Sequence, residues 1–535
     1  MSIKADVSEE CIVTKLENLN VSKSPGPDGL HPRVLSELAS VIAKPLSILF
    51  SNSLSSGTVP RDWKKANVSA VFKKGNRKLP SNYRPISLTC IACKVLESIL
   101  RDEIYEHMRA NSLLSTRQFG FVSGRSTMLQ LLNVLDEWTS LLESGGSIDV
   151  VYLDFMKAFD TVPHRRLLAK AEGFGIANPL LKWIESFLVG RKQRVCVNGA
   201  FSEWADVTSG IPQGSVLGPL LFVIYINDLP DQVSSSSVYL FADDTKIFKH
   251  VNSLNDALSL QEDLQGLVSW SEEWLLKFHP DKCCVLSIGN HDEPHDYNMK
   301  YGSATYDLSH VDSSRDLGVI VDSKLSFDHH FQAKINKANS LMNLIRRTFV
   351  YLHKENFLLL YKALVRPHLE YAHAVWSPHL KKHIQALENV QRRATKLVPE
   401  VKTLPYEQRL SRLGLPTLAY RRARGDMIEA YKLFNRYDQE VVPDLGLVQG
   451  PTRGHSKKLF IPRSLTEKHK NSFYIRIRKP WNSLTEELVN APSVYSFKNG
   501  LDHCWKSEPI KFKFDAKPPG HDPATLKRRQ NLELN

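Results

Sequence analysis

The sequence predicts an α+β protein whose strand-rich first three-fifths gives way to a helical, basic remainder. Apolar β-type runs recur at 66–72, 149–154, 238–248, 283–288 and 316–321, with helix-spaced apolar residues between them. From residue 323 onward the apolar spacing is helical. The charge divides at the same place. Residues 1–322 hold 32 Lys+Arg against 38 Asp+Glu, a net of −6, and residues 323–535 hold 38 against 19, a net of +19. The whole basic surplus of this 535-residue chain therefore lies in its last two-fifths, which points to a polyanionic partner there, nucleic acid first.

In chain order, Ser24-Pro25-Gly26-Pro27-Asp28-Gly29 is turn-rich, and Val34, Leu35, Leu38 and Ile42 follow at helical spacing. The Lys44-Pro45 step is expected to break that helix. A strand over Ala66–Phe72 ends at Lys73-Lys74-Gly75, and a helix is expected from about Cys93 to Ala110. Leu132, Leu135, Trp138 and Leu142 mark another helix. Asp149–Asp154 is a strand that ends in acid, and helices are expected around 165–189. Gln193–Gly199 looks like a hairpin strand with an Asn-Gly turn. The run Leu220–Ile226 is fit to be a buried helix. A helix is expected near 257–274, and the segment His291–Tyr301 is expected to be a loop. Phe331, Ile335, Ala338, Met342, Ile345 and Phe349, then Ile384, Leu387, Val390, Ala394 and Leu397, describe amphipathic helices with basic residues mostly off the stripe. After about 440 the chain is rich in Pro, Gly and basic residues, including the cluster Arg476, Arg478 and Lys479. The expected division is a leader at 1–22, a strand-rich unit at 23–322, a helical unit at 323–435, a basic C-terminal unit at 436–512 and a disordered tail at 513–535.

Seven scattered cysteines argue for a reducing compartment rather than a disulfide framework. Cys90 and Cys93 have CxxC spacing, but no second pair follows at zinc-site distance. There is no uncharged apolar run of about 18 residues to span a membrane. Met1–Asp6 has no signal-peptide core.

The most informative window is Phe241-Ala242-Asp243-Asp244, two acids inside an apolar β-type run. Buried unpaired carboxylates are costly, so acids in such a run have a cation to hold or sit at the tip of a plain hairpin turn. A second acid-ended run, Leu153-Asp154, favours the cation. Two such strands side by side would set Asp154 against Asp243. At ~4 Å and an effective dielectric of 20, two carboxylates repel by about 4 kcal/mol. Two Mg²⁺ ions roughly 3.5–4 Å apart would relieve that repulsion and suit attack of an alkoxide on a phosphate. Mg²⁺ accepts a few carboxylates completed by substrate phosphates and water. The Ser209–Pro219 segment adds glycines that allow backbone to approach a ligand closely.

Taken in order, Arg84-Pro85-Ile86-Ser87, Gln118-Phe119-Gly120-Phe121 with Gly124-Arg125-Ser126-Thr127, Asp154 with Phe159-Asp160, Gly210-Ile211-Pro212-Gln213-Gly214 and Phe241-Ala242-Asp243-Asp244 resemble the motif series of reverse transcriptases of non-LTR, jockey/CR1-like retrotransposons. Asp316-Leu317-Gly318-Val319, Pro367–Tyr371, Gly414–Thr417 and Trp481–Leu484 extend the resemblance over roughly 20–510. It implies a right hand of fingers, antiparallel-sheet palm and helical thumb. It implies RNA-directed DNA polymerisation with dNTPs on an RNA template from a DNA primer or target, with two Mg²⁺ ions that Mn²⁺ could replace. Asp154 and Asp243 would be metal ligands, with Asp244 their partner acid, and Lys282 would protonate the leaving pyrophosphate. Lys73 or Lys74 with Arg84 would hold the triphosphate. Phe159 would stand against a ribose 2′-hydroxyl, and Gln213 and Gly214 would line the nucleotide pocket. Gln118, Gly124 and Arg125 would contact the template, and Leu317 and Gly318 would grip the primer. The family's upstream endonuclease signature and downstream zinc knuckle do not occur in the sequence, so a polymerase portion is expected.

Two other classes are open to the sequence. A relic that only binds nucleic acid would keep the basic region without synthesis. A palm-type nucleotidyl cyclase has no need of that region. Nothing in the sequence sets an oligomeric state, and basic runs such as Lys527-Arg528-Arg529 fit a nuclear as well as a cytoplasmic protein.

Overall fold

The computed structural model describes residues 5–289, 294–450 and 454–520. Its centre is a five-stranded sheet. In order of position the strands are β12 (Ser309–His310), β9 (Cys284–Gly289), β3 (Ser147–Leu153), β8 (Asp244–Val251) and β7 (Ser237–Phe241). All neighbours in this sheet are antiparallel except the short β12, which runs parallel to β9. A second sheet joins β1 (Lys65–Phe72), β2 (Tyr83–Thr89), β4 (Arg191–Val197), β5 (Ala200–Phe201) and β6 (Ala205–Val207). Two separate hairpins complete the strands: β10 (Asn298–Tyr301) with β11 (Ala304–Asp307), and β13 (Ser313–Asp316) with β14 (Val319–Asp322). This mixed α/β arrangement, with a central sheet, a second five-stranded sheet and a following helical region, is the one expected of a right hand of fingers, palm and thumb.

The central sheet is sandwiched. Successive strand residues point to opposite faces. Ile148 and Val150 of β3 and Phe248 of β8 enter one core, shared with the helices beyond residue 327. Val151 and Leu153 of β3 and Ile247 of β8 enter the other. That second core holds the helix Gly218–Ile226, buried along almost all of its length, and the helix Leu254–Glu273. Burial on both faces explains why these strands read as apolar runs rather than alternating ones. The helix Glu9–Glu17 buries Ile12 and Leu16 in the same core, so the residues set apart as a leader contain a packed element.

Most expected elements form. The Asn198-Gly199 turn has both residues at positive φ, the type I′ geometry the pair favours. Pro45 does not break its helix, which runs Ala39–Ser56. The carbonyl it deprives of a partner belongs to Val41, whose residue is 70% exposed, so water can serve it. The expected loop 291–301 contains β10, because Tyr297 and Met299 are buried in alternation, Met299 pairs with Tyr306 across Gly302, and Tyr297 O accepts from Leu308 N–H. Residues 290–293 lie outside the described residues, as do 521–535, which hold Lys527-Arg528-Arg529 and most of the expected disordered tail.

The helices Asp328–Thr348 and Lys381–Ala394 bury most of the predicted stripes; Ile335, Ile384 and Leu397 are half-buried, Leu397 in the turn after its helix, and Phe349 is exposed beyond its helix end. Gln391 lies inside the core and takes a hydrogen bond from the Tyr361 hydroxyl. Trp481, Phe497 and Trp505 share that core, so residues 436–512 pack continuously with the helical unit. The two arginines of the cluster around 476 are structural, while Lys479 is exposed. Arg476 forks onto Asp426, and buried Arg478 donates to the carbonyls of Tyr474 and Phe460.

Candidate active site

The two acids at 243–244 sit on a hairpin between β7 and β8. Phe241 pairs with Asp244, leaving Ala242 and Asp243 as a two-residue turn with Ala242 at φ +56°. The turn is braced from below. The Gln118 side-chain oxygen accepts from the backbone N–H of Ala242 (2.9 Å) and of Gly120 (2.7 Å). Phe119 N–H donates to Leu240 O and Leu240 N–H to Arg117 O, a short ladder that docks the 117–119 segment beside β7. Gln118 is fully buried in this role, so it is a support of the hairpin rather than a template contact.

Asp154 lies just past the end of β3. The ladder pairs Leu153 with Thr245, so one further step sets Asp154 opposite Asp244, and Asp243 stands at the turn. The expected opposition of Asp154 and Asp243 is thus shifted by one residue, because the turn holds two residues. Asp154 is fixed by the segment 277–283. His279 N–H donates to its carbonyl (2.8 Å), and Phe155 stacks on Phe278 with ring centroids 4.3 Å apart. Lys282 Nζ pairs with Asp154 Oδ2 at 2.8 Å on the solvent side.

Asp154 and Asp244 line a cleft of about 170 Å³ with Tyr152, Lys246, Lys282, Arg315, Asp316 and Leu317. Burial raises the carboxyl of Asp243, and Asp154 adds to that while Arg84 and Lys73 oppose it. Asp244 is pushed up to about 6 by burial, then by Asp243, Asp316 and Asp154. Crowded acids of this kind are hard oxygen donors short of a counter-charge, which fits Mg²⁺ in kind. Among the described residues no group of three acidic, His or Cys side chains is close enough to hold a metal as arranged.

On the other side of the site, strand parity separates the two lysines. Val71 pairs with Arg84, and Lys73 N–H bonds to Asn82 O, so Lys73 shares the face of Arg84 while Lys74 follows beyond the strand. The Gly-Ile-Pro-Gln-Gly loop fills the space between. Ser87 N–H donates to Gln213 O (2.7 Å), and a Cβ on Gly214 would lie 2.5 Å from Ser87 O. Gln213 Nε2 donates to Asp160 Oδ1 at 2.9 Å, and Ile211 N–H donates to Phe159 O. Phe159 itself is half-buried, stacked on Phe222 at 4.4 Å and edge-on to Phe121. Glu97, fully buried, takes the N–H groups of Val216 and Leu217 and anchors the start of the helix behind the loop.

Residues 71–321, which span these elements, match the family model for reverse transcriptase (RNA-dependent DNA polymerase). They form a reverse transcriptase domain. The chain is 29% identical over 426 residues to the RNA-directed DNA polymerase from mobile element jockey of Drosophila funebris, covering 76% of this chain and 45% of that protein. Its counterpart in Drosophila melanogaster is 28% identical over 402 residues (72% and 43%). The retrovirus-related Pol polyprotein from type-1 retrotransposable element R1 of Bradysia coprophila is 26% identical over 386 residues (69% and 37%). The chain spans less than half the length of each of these relatives.

Two further expected contacts of the reverse transcriptase domain have other partners. Arg125 is buried and donates to Ser115 O, Gln118 O and Asp438 Oδ2, and Asp438 N–H donates to Gly124 O. Gly124 and Arg125 therefore join this segment to Asp438. Leu317 and Gly318 do form an exposed-side turn, at φ +43° and +89°, between β13 and β14. Sequence reasoning missed the Lys246–Asp316 ion pair behind that turn. A lysine two places after Asp244 in an apolar strand was the available signal, since a buried ammonium needs a carboxylate.

Proposed function

We propose that this chain is an RNA-directed DNA polymerase of a non-LTR retrotransposon, extending a DNA 3′-hydroxyl on an RNA template with dNTPs. The observation that carries the reading is the meeting of Asp154, Asp243 and Asp244 at one end of the central sheet, with Lys73 and Arg84 facing them. Two Mg²⁺ ions held by Asp154 and Asp243, with Asp244 beside them, would lower the pKa of the attacking hydroxyl and offset charge on the leaving oxygens. Lys73 and the planar fork of Arg84 hold the triphosphate. Gln213, braced on Asp160, and Gly214 shape the nucleotide pocket. Phe159, held by Phe222, excludes a ribose 2′-hydroxyl. Lys282 stands on Asp154 at the mouth of the cleft, within reach to deliver a proton to a leaving group. Leu317 and Gly318 seat the primer end, and the basic helices beyond 323 follow the nucleic-acid backbone. No described helix is long and apolar enough to cross a membrane. The residue ranges set out from the sequence divide the chain into fingers with palm, thumb-like helices and a basic C-terminal unit, working in a reducing intracellular compartment.

Primer extension on poly(rA)/oligo(dT) with Mg²⁺ tests the reading. Template-dependent dTTP incorporation is expected; salt-sensitive RNA binding without synthesis would reduce the chain to a binding protein.

Two variants probe the pocket. Lys73→Ala should raise the KM for dNTP about tenfold, the ~1.4 kcal/mol of one charge-assisted contact. Lys74→Ala should stay within about twofold, and an equal effect of the two would refute the strand-parity assignment. Phe159→Ala should shift the rNTP:dNTP ratio of kcat/KM toward ribonucleotides by on the order of 10–100-fold. An unchanged ratio would leave Phe159 as a core residue only.

A further inference from the structure

We propose that the buried Lys246–Asp316 ion pair is a positioning device for the polymerase reaction, tying the strand that carries Asp244 to the β13–β14 hairpin and so setting the primer end against the carboxylates. The inference rests on the polymerase reading and names residues that the reading does not use.

Lys246 follows Asp244 by two places on β8, so the two side chains share a face. Its ammonium contacts Asp316 Oδ2, and the two side chains are 4% and 6% exposed. Asp316 is the last residue of β13, immediately before the Leu317–Gly318 turn. The β13–β14 hairpin is not a strand of the five-stranded sheet. Among the described residues, backbone bonds join it to the sheet only at its far end, where Gly289 N–H donates to Ser323 O. At the turn end, the pair supplies the hold from the palm side. From the thumb side, the Tyr371 hydroxyl donates to Leu317 O (2.7 Å) and Lys334 Nζ to Gly318 O (3.3 Å). The turn is thus clamped between Asp244's strand and the helical region.

Stability alone is a poor reason for this arrangement. A buried ion pair pays desolvation on both charges, and apolar replacements of similar volume are often neutral or stabilising. Beside it, the fully buried Gln130 amide, which also lines the cleft, finds no hydrogen-bond partner among the described residues. Leu317 occupies the left-handed region that glycine or asparagine would fill at less cost. An unsatisfied amide in the cleft and a strained residue at the adjoining turn mark a place held for geometry.

The test compares Lys246→Met, Asp316→Leu and the double variant, with Tyr371→Phe as a surface variant that loosens the same turn without touching the core. Each is read by thermal melting, by hydrogen exchange over residues 313–322 and by single-turnover extension at saturating template–primer. Each single variant strands a buried charge and should melt earlier. The double variant should recover the melting temperature, yet exchange faster at the turn and extend about tenfold slower, with the dNTP concentration for half-maximal rate unchanged. Tyr371→Phe should slow extension about threefold. Wild-type extension rates in both the double variant and Tyr371→Phe would overturn the inference while leaving the polymerase reading intact. If the double variant does not fold, a wild-type rate in Tyr371→Phe overturns it alone. A wild-type chain that extends no primer would overturn the polymerase reading, and the inference with it.

Discussion

Asp244→Asn is expected to cut primer extension by a factor on the order of 10³ and, at the same time, to raise the melting temperature. The loss follows from removing one of three acids that answer the charge of the reaction, where a single electrostatic group is worth about 10²–10³. The gain follows from crowding. Burial and the charges of Asp243, Asp316 and Asp154 push the Asp244 carboxyl up to about 6, against an ordinary value near 4. An acid raised in the folded state binds its proton more readily there than in the unfolded chain. Its ionised form therefore destabilises the fold at neutral pH, and the penalty disappears as pH falls through 6 towards the unfolded value. Asn carries no such charge at any pH. Asp244 is solvent-exposed at the start of β8, so screening discounts the shift, and the variant should melt about 1 °C above wild type at pH 7.5 without divalent cation. The gap should narrow as pH falls below 6 and close near pH 4, where the carboxyl is protonated in the unfolded chain as well. Mg²⁺ should raise the wild-type melting temperature more than the variant's. A variant that is less stable at pH 7.5, or a gap that widens on acidification, would refute the account of crowded acids. Full activity would remove Asp244 from the site.

What the sequence made legible was whatever leaves a local pattern. The acid-ended strand at Asp154 and the hairpin at Asp243–Asp244 could be read because acids interrupt apolar runs. The Asn198-Gly199 turn could be read because only a few residue types tolerate its backbone. Contacts between distant segments left no such pattern. Gln118 and Arg125 are polar residues near glycines, and their types alone suit a nucleic-acid surface as well as an interior. Burial decided between these, and burial depends on Leu240 and Asp438, more than 100 and 300 residues away. Counting basic residues likewise cannot see that Asp426 and backbone carbonyls already occupy Arg476 and Arg478. The helix through Pro45 shows the converse, a strong local rule overridden where the freed carbonyl faces solvent. Sequence distance also explains why Lys246 and Asp316 went unpaired in the reading. Each sits in its own strand, and only the fold sets the two strands' ends together.

Gly120→Ala should disable synthesis although residue 120 touches no substrate. A Cβ at this position would lie 2.2 Å from Ala242 N and 2.8 Å from Phe241 C, both backbone atoms of the hairpin that carries Asp243 and Asp244. Ordinary carbon contacts begin near 3.4 Å, so the hairpin or the 118–121 segment must move by roughly 1 Å. Gln118 cannot follow both ways, because its one oxygen serves Gly120 N–H and Ala242 N–H together. The Cβ therefore drives the turn away from Asp154 or leaves a buried N–H without a partner. A misplacement near 1 Å at reacting groups costs about 10² in rate. The overpacking itself costs about 1–3 kcal/mol, which a domain of this size can absorb and stay folded. The measurements are single-turnover extension, template–primer affinity and circular dichroism on the purified variant. The expected result is a folded protein that binds template–primer as wild type does and extends it about 10²-fold more slowly. Gly173→Ala supplies the contrast, because a Cβ there meets nothing within 4 Å at the end of the helix His164–Gly173, and its rate should match wild type. Equal rates for Gly120→Ala and Gly173→Ala would mean that the hairpin's position does not limit the reaction. The role assigned to Gln118 as its brace would fall with that result.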